Sequence, residues 1–460
     1  MASNRIGSPG LLDRERIVAG PGFNRWLVPP AALCVHLAIG EVYAFSVFNI
    51  PMTRLLGVTK HAPGDWTNPD VTWIFSIAIL FLGLSAAFAG SWLDRVGPRK
   101  AMVAAALCFG GGFIVAAIGV AMHNLAVVYL GYGVIGGCGL GIAYISPVKT
   151  LISWFPDRPG MATGLAIMGF GGGAMIGAPL SVWLMRHFAT ASGNGVAATF
   201  VALGVIYAAY MLIGAAIVRV PAPGWQPAGF VPARTNGLVT TETVHVDEAL
   251  RTPQFYLLWL VLCLNVTAGI AVLSQASPMI QQMFHGRVSP VAAAGFVGLL
   301  SIFNMAGRFV WASASDWIGR KNTYAVFFLL GIVLYVLLPS TGRLGGVGLF
   351  VIVSGIILSM YGGGFATIPA YLRDVFGVRY VGAIHGRLLT AWAAAGVLGP
   401  LLISYLREYL LANGVAQADA YTLTLYIMAG LLFVGFLCNL AMRPVRAHHF
   451  VTTGDTEVGA

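Results

Sequence analysis

Two short segments of this sequence share one pattern, and their positions indicate the fold. Residues 90–100 read GSWLDRVGPRK, and residues 315–321 read SDWIGRK. In each segment an Asp is followed three residues later by a Gly and then by a basic pair. Gly97 and Gly319 suit tight turns, because glycine adopts positive φ angles without a steric cost. The repeat predicts two structurally related halves.

The composition indicates a membrane protein. Of 460 residues, 58% are hydrophobic and only 9% are charged, whereas soluble domains carry about 25% charged residues. The 59 glycines suit helices that pack closely in lipid, where small residues let backbones approach. The net charge of +10 therefore gives no reason to expect nucleic-acid binding.

Apolar stretches of about 20 residues, long enough to cross a bilayer as helices, recur along the whole chain. The fold class that we predict is an all-α membrane protein with twelve transmembrane helices in two six-helix halves. A polar, proline-rich linker, 220–252, separates the half at 27–219 from the half at 253–442, with tails at 1–26 and 443–460. The predicted helices 1 to 12 span 27–52, 71–93, 100–122, 125–153, 161–186, 196–219, 254–283, 291–315, 322–341, 345–372, 380–406 and 420–442.

The positions of Lys and Arg predict the orientation. With the N-terminus inside, the cytoplasmic segments hold about three times as many Lys and Arg residues as the opposite side, as the positive-inside rule requires. Both termini are therefore expected in the cytoplasm, with the protein in a cell (inner or plasma) membrane. The polar first 25 residues contain no apolar segment typical of a cleavable signal peptide.

The repeated loops are candidate conformational latches. Asp94 can accept hydrogen bonds from backbone N–H groups at the start of a neighbouring helix, and charged pairs here could hold one conformation and release another. The alternative is a plain polar turn that obeys the positive-inside rule. The latch candidates are Asp94, Arg95, Gly97 and Arg99 between helices 2 and 3, and Asp316, Gly319 and Arg320 between helices 8 and 9.

The pattern G-x-x-x-D-R-x-G-P-R-K at 90–100 resembles the signature loop of the major facilitator superfamily, and 315–321 repeats part of it. Shorter strings resemble the oxalate/formate antiporter family within that superfamily. That resemblance implies transport of small organic anions by two halves that alternate access to a central site. The strings lie at 43–48 with Pro51, 139–144, 154–164, 251–255, and 304–308 followed by 315–316.

Arg308 is the strongest candidate for binding an anion. It lies about eight residues from the end of predicted helix 8, or about 12 Å deep in a core of about 30 Å. A charged residue at such depth is costly and is a functional candidate by default, and its planar guanidinium matches a carboxylate. Asn304 lies one helical turn away and is expected to add a donor. The alternative is a structural Arg satisfied by carbonyls or an internal carboxylate.

Aromatic residues are candidates for lining the pocket. The family resemblance implies this role for Tyr43, Tyr144, Tyr361 and Phe365, and the alternative for each is ordinary packing or contact with lipid. Where the oxalate carrier type has a Lys in helix 11, this sequence has Trp392. A single cation suits a monoanion, because a second buried charge would lack a partner. The expected substrate is therefore a short monocarboxylate such as formate or lactate rather than oxalate.

Three further ionisable residues lie within predicted helices. Glu41 and His36 are candidates for proton coupling, although a structural hydrogen bond is an alternative for both. On an α-helix, His36 and Tyr43 share a face whereas Glu41 and Tyr43 do not. Lys149 lies near the cytoplasmic end of helix 4, where we expect its side chain to snorkel to the interface.

The sequence thus predicts a secondary transporter of small organic anions, working as an antiporter, a proton symporter or a uniporter. Alternatives are a proton-driven drug or metabolite efflux carrier, a membrane-embedded enzyme and a nutrient sensor. We find no catalytic constellation, metal cluster or phosphate-binding loop, and expect no cofactor and no nucleic-acid partner. The expected partners are the substrate and the lipid bilayer, with the protein monomeric.

Overall fold

The computed structural model describes residues 10–58, 60–230, 238–284, 287–344, 346–416 and 419–451. Within these ranges it contains twelve helices long and apolar enough to cross a membrane, which confirms the predicted fold class. Most helices are continuous. They are helix 2 (Asn68–Val96), helix 3 (Pro98–Ala121), helix 5 (Pro159–Phe188), helix 6 (Val196–Ile217), helix 7 (Pro253–Met283), helix 8 (Pro290–Ile318), helix 9 (Arg320–Arg343), helix 10 (Val347–Phe376) and helix 12 (Thr422–Leu440).

Three helices are irregular. Helix 1 is α-helical over Pro29–Ile39, 3₁₀ over Gly40–Phe48 and α-helical again over Asn49–Met52. Helix 4 runs from Leu125 to Trp154 with a π-helical stretch at Tyr129–Gly136, and helix 11 consists of Val381–Leu388 and Thr390–Ala412. A 3₁₀-helix has three residues per turn, or about 120° per residue, so His36 and Tyr43 still lie on one side of helix 1, as expected.

Small residues bring the two sequence-related sets of helices into contact. On helix 2, a Cβ added to Gly83 would lie 2.7 Å from the Cβ of Ala393 on helix 11. On helix 5, a Cβ added to Gly171 would lie 3.0 Å from the Cα of Met305 on helix 8. These close approaches form the seam between residues 27–219 and 253–442, the ranges predicted as halves. The seam places side chains of helices 1, 4 and 5 against those of helices 8, 10 and 11.

The tails and linker pack against the helix ends. The Val220 N–H donates to the carbonyl oxygen of Ile17, and the Val220 carbonyl oxygen accepts from the Ala19 N–H, each at 2.9 Å. Val244 forms an isolated bridge with Phe450. Arg25 donates to both carboxylate oxygens of Asp157, at 2.6 and 3.0 Å. Burial raises the pKa of the Asp157 carboxyl, but hydrogen bonding and charge from Arg25 bring that pKa below its ordinary value. Residues 1–9, 231–237 and 452–460 of the predicted tails and linker lie outside the described residues.

Candidate substrate-binding site

Arg308 lies in the seam, on helix 8, with its side chain fully buried. Its Nε donates to Asn304 Oδ1 at 3.0 Å, one turn earlier on the same helix. Its two terminal nitrogens have no hydrogen-bond partner among the residues that the structure describes. The guanidinium carbon lies 5.4 Å from the ring centre of Phe170 and 5.3 Å from that of Phe365. One ring belongs to each half, so both halves contact this cation.

Asn304 contacts Arg308 through its amide oxygen, and the expected role of its NH₂ group as an additional donor stays a prediction. Its amide oxygen accepts the Nε–H of Arg308, because residues four apart on a helix lie one above the other and the buried donor requires an acceptor. The bond orients the guanidinium so that its terminal nitrogens remain available. Asn304 therefore holds the Nε side of the guanidinium in place in this conformation.

Aromatic side chains from both halves surround the guanidinium. Trp392 is fully buried on helix 11, with ring centres 4.5 Å from Phe365 and 5.3 Å from Tyr144. Phe170 on helix 5 lies 5.5 Å from Trp392 and 4.9 Å from Tyr43. These rings contact one another across the seam. The cation is therefore enclosed by aromatic side chains of both halves.

Tyr43 and Tyr361 close this cluster on one side. Their hydroxyl oxygens are 3.2 Å apart, linking helix 1 to helix 10 across the seam. Tyr361 is buried and stacks edge-on against Phe365 at 5.2 Å. The five aromatic candidates from the sequence, Tyr43, Tyr144, Tyr361, Phe365 and Trp392, therefore lie in one contiguous cluster with Arg308. Their role in binding stays a prediction.

Sequence reasoning missed two members of this cluster. Phe170 lies in the string Gly169-Phe170-Gly171-Gly172-Gly173. The glycines predicted close helix packing there, and the aromatic residue was not considered as a site candidate. His385 lies near the start of helix 11 and is buried against Tyr144, with ring centres 5.9 Å apart. An ionisable residue in an apolar span was the available signal, since such residues are functional candidates. The described residues contain no group of three His, Cys, Asp or Glu side chains placed to hold a metal ion.

The two proton-coupling candidates lie in different places. Glu41 is buried and accepts hydrogen bonds from Tyr207 at 2.9 Å and Ser181 at 3.1 Å, both within the first half. His36 is buried on helix 1 and faces Tyr144, with ring centres 5.6 Å apart. His36 therefore belongs to the aromatic cluster around Arg308, whereas Glu41 points into the first half. Coupling by either residue stays a prediction.

The sequence analysis expected the Lys149 side chain to snorkel to the interface. In the structure, its ammonium pairs with the Asp94 carboxylate. Asp94 was expected to accept backbone N–H groups of a neighbouring helix. It lies against Gly382 in the first turn of helix 11, where the backbone N–H of Ala383 interacts with its carboxylate as expected, and its side-chain partner is the Lys149 ammonium. The pairing follows from burial, because a half-buried carboxylate and a half-buried ammonium each need a counter-charge.

Asp316 makes the same kind of contact that was expected of Asp94. Its two carboxylate oxygens accept the backbone N–H groups of Gly160 and Met161, each at 2.8 Å, across the seam. Arg320 donates to Asp316 at 2.5 Å and to Asp374 at 3.2 Å. This cluster joins helices 8, 9 and 10 to the first turn of helix 5.

The remaining latch candidates divide between turns and local contacts. Gly97 and Gly319 have φ angles of +82° and +84°, as tight turns between antiparallel helices require. Arg95 is exposed. Arg99 donates to the carbonyl groups of Ala215 and Ala216 at 3.0 and 2.9 Å. These contacts satisfy carbonyl groups at the end of helix 6 within the first half, and a latch role for Arg99 stays a prediction.

A family model described as Major Facilitator Superfamily matches residues 31–400. The chain belongs to this superfamily. Membership makes it a multi-pass membrane protein and a secondary transporter of small molecules rather than an enzyme.

Relatives within the superfamily carry organic acids by name. The oxalate:formate antiporter of Oxalobacter formigenes is 28% identical, covering 82% of this chain and 83% of its own. Apicoplast pyruvate carrier 1 of Toxoplasma gondii is 25% identical, covering 90% and 89%. A crystal structure of the superfamily transporter FucP in the outward conformation shares the fold, with a TM-score of 0.64 and 14% identity, covering 91% and 99%.

Proposed function

We propose that this protein transports small monocarboxylates by binding them at Arg308, as an antiporter or a proton symporter with alternating access. The observation that carries the proposal is a fully buried guanidinium with both terminal nitrogens unpartnered among the described residues. Those two nitrogens form the planar fork that matches a carboxylate. The substrates named for two relatives, oxalate and formate for one and pyruvate for the other, are all carboxylates and support carboxylate binding.

The surroundings of Arg308 favour a small and singly charged ligand. Trp392 occupies the position at which the resemblance implies a second cation, and its ring contacts Phe365, which also faces Arg308. A dianion would leave one charge without a partner in a low-dielectric site, which is costly. The contacting aromatic rings argue against the wide, adaptable cavity of a drug efflux carrier. These rings exclude water and thereby strengthen the attraction of a carboxylate to Arg308.

The transport cycle that we propose uses the two predicted halves. Residues 27–219 and 253–442 rock around a carboxylate bound to Arg308, with 220–252 connecting them and both termini in the cytoplasm. Phe170 of one half and Phe365 of the other each make a cation–π contact with the guanidinium. Each contact stabilises the buried charge by roughly 0.5–2 kcal/mol. A bound carboxylate compensates the charge far better, so the occluded form is favoured when substrate is present.

Substitution of Arg308 tests the binding site. We expect Arg308→Ala to lower the apparent affinity for the preferred acid by about 100-fold or more, since losing a partner of a buried charge pair costs roughly 3 kcal/mol. Arg308→Lys keeps the charge without the fork and should lose roughly tenfold. The measurement is counterflow in proteoliposomes with formate, lactate, pyruvate and oxalate.

The matched control is Arg251→Ala, which removes an exposed arginine that pairs with Glu248 on the linker. This variant should transport like the native protein. Counterflow at normal affinity in Arg308→Ala would contradict the proposed site. Much tighter binding of oxalate than of every monocarboxylate would contradict the proposed substrate class.

A further inference from the structure

We propose that His36 and His385, with Tyr144 between them, form a proton-binding site that couples carboxylate transport to proton movement. The proposal rests on carboxylate binding at Arg308. His36 lies on helix 1 and His385 on helix 11, so the two imidazoles come from opposite halves. Both are buried, and their ring centres lie 5.6 and 5.9 Å from that of Tyr144.

The histidine nitrogens have the capacity to take up a proton. His36 Nδ1 lies 3.2 Å from the carbonyl oxygen of Ala32. Because a carbonyl only accepts, this nitrogen carries the hydrogen in the neutral ring and Nε2 has the free lone pair. Within the described part of the chain, His36 Nε2, His385 Nε2 and the Tyr144 hydroxyl have no hydrogen-bond partner. Buried polar atoms of this kind are uncommon and call for a functional explanation.

The charge of Arg308 links proton binding to anion binding. Phe170 contacts both the Arg308 guanidinium and Tyr144, the ring that both histidines face, so the charge of Arg308 lies within the same low-dielectric cluster as the two imidazoles. A protonated imidazole beside a bare guanidinium would bury two like charges, which is unfavourable. A carboxylate bound to Arg308 removes that repulsion and favours the imidazolium. By reciprocity, a proton on the histidines strengthens carboxylate binding by the same factor.

The other charged groups near the histidines do not provide an alternative link between proton binding and carboxylate binding. Lys149 and Asp94 lie against Gly382, one turn before His385, and pair with each other. Glu41 is the competing proton site, but its partners Ser181 and Tyr207 belong to its own half. When the halves move, Glu41 and its partners move together.

The position of His385 makes its exposure depend on conformation. The start of helix 11 packs closely on helix 2, where a Cβ added to Gly386 would meet the Ala86 carbonyl oxygen at 2.0 Å. Movement of the halves apart at this contact would separate His385 from Tyr144 and admit water to both imidazoles. Protons would then exchange with the compartment on that side. One proton carried with one monocarboxylate makes net transport electroneutral.

The test compares two activities in the same proteoliposomes, using pyruvate as the probe and subtracting uptake by protein-free vesicles. Counterflow at equal pH reports carboxylate binding and exchange. Net accumulation driven by a pH gradient reports proton coupling, and a pH dye trapped in the lumen reports proton movement. We expect the native protein to carry protons with pyruvate. His36→Gln and His385→Gln should each lower the ratio of gradient-driven accumulation to counterflow at least tenfold.

His187→Gln is the matched control, because His187 is exposed at the far end of helix 5, and it should leave the ratio unchanged. Absence of proton movement by the native protein would overturn the coupling, even if a histidine variant failed to fold. An unchanged ratio in both histidine variants, or loss of coupling in Glu41→Gln alone, would also overturn it. Failure of the substrate proposal is distinguishable, because the native protein would then show no carboxylate counterflow at any pH.

Discussion

The chemistry of the seam depends on one arginine and on the indole that replaces a second cation. Arg308 and Trp392 both contact the Phe365 ring, at 5.3 and 4.5 Å. Trp392 Nε1 has no hydrogen-bond partner among the described residues, so the indole offers a neutral donor where a lysine would offer a charge. We therefore expect Trp392 to determine the selection between monoanions and dianions.

A second cation at position 392 should change the preferred charge of the substrate. We expect Trp392→Lys to raise the affinity for oxalate relative to formate at least tenfold, because two cations match two carboxylates and each unpaired buried charge is costly. The measurement is competition by the two acids in counterflow. Trp392→Phe, which keeps a ring without the N–H, should retain the native preference. An unaltered oxalate-to-formate ratio in Trp392→Lys would refute the one-cation argument.

At the scale of elements, the first turn of helix 5 depends on a side chain from the other half. Helix 5 begins at Pro159 and has no side-chain cap from Arg158. Its first N–H groups have no partner within the helix. Asp316 accepts those of Gly160 and Met161 and thereby adds a negative charge at the positive end of the helix dipole. A capping interaction thus joins the halves, and we propose that it separates when they move.

Neutralising this cap should favour the conformation in which the seam is open near both termini. We expect Asp316→Asn to shift the equilibrium by about 1–2 kcal/mol, or roughly 5–30-fold. A cysteine placed at Met161 should then react faster with a membrane-impermeant maleimide added on the side that carries the termini. Asp247→Asn, at an exposed linker carboxylate, should leave the rate unchanged. Equal labelling rates in Asp316→Asn and the native background would contradict the latch.

At the scale of the whole molecule, transport requires the two halves to move as bodies. Helix pairs within a half and across the seam share the same small-residue packing. A Cβ at Gly83 would lie 2.7 Å from that of Ala393, across the seam. A Cβ at Gly110 would likewise lie 2.7 Å from that of Ala208, within the first half. The two pairs provide a matched comparison.

A crosslink across the seam should stop transport, whereas one within a half should not. We expect oxidised Gly83→Cys/Ala393→Cys, with the native cysteines replaced, to lose nearly all counterflow and to regain it on reduction. Disulfides have Cβ atoms about 3.8 Å apart, so each pair needs a similar small adjustment. Oxidised Gly110→Cys/Ala208→Cys should keep most of its activity. Undiminished transport with the seam pair fully crosslinked would exclude rocking of the halves.

The amino-acid sequence alone determined the class of this protein. The length and apolar composition of a span are local properties of the sequence, and the thickness of the bilayer fixes the values that a spanning helix needs. All twelve helices were therefore predictable. The repeated loop at 90–100 and 315–321 indicated the superfamily. The depth of Arg308 in an apolar span marked it as a candidate without any tertiary information.

Only the tertiary structure decided which side chains meet. The rotation of helix 1 changes where it becomes 3₁₀ at Gly40, and glycine contacts set how closely each helix pair approaches. Such interactions join residues far apart in sequence, so no local pattern encodes the pairing of Lys149 with Asp94 or of Glu41 with Tyr207. For the same reason, the contacts of Phe170 with Arg308 and of His385 with Tyr144 became visible only once opposite halves were packed together.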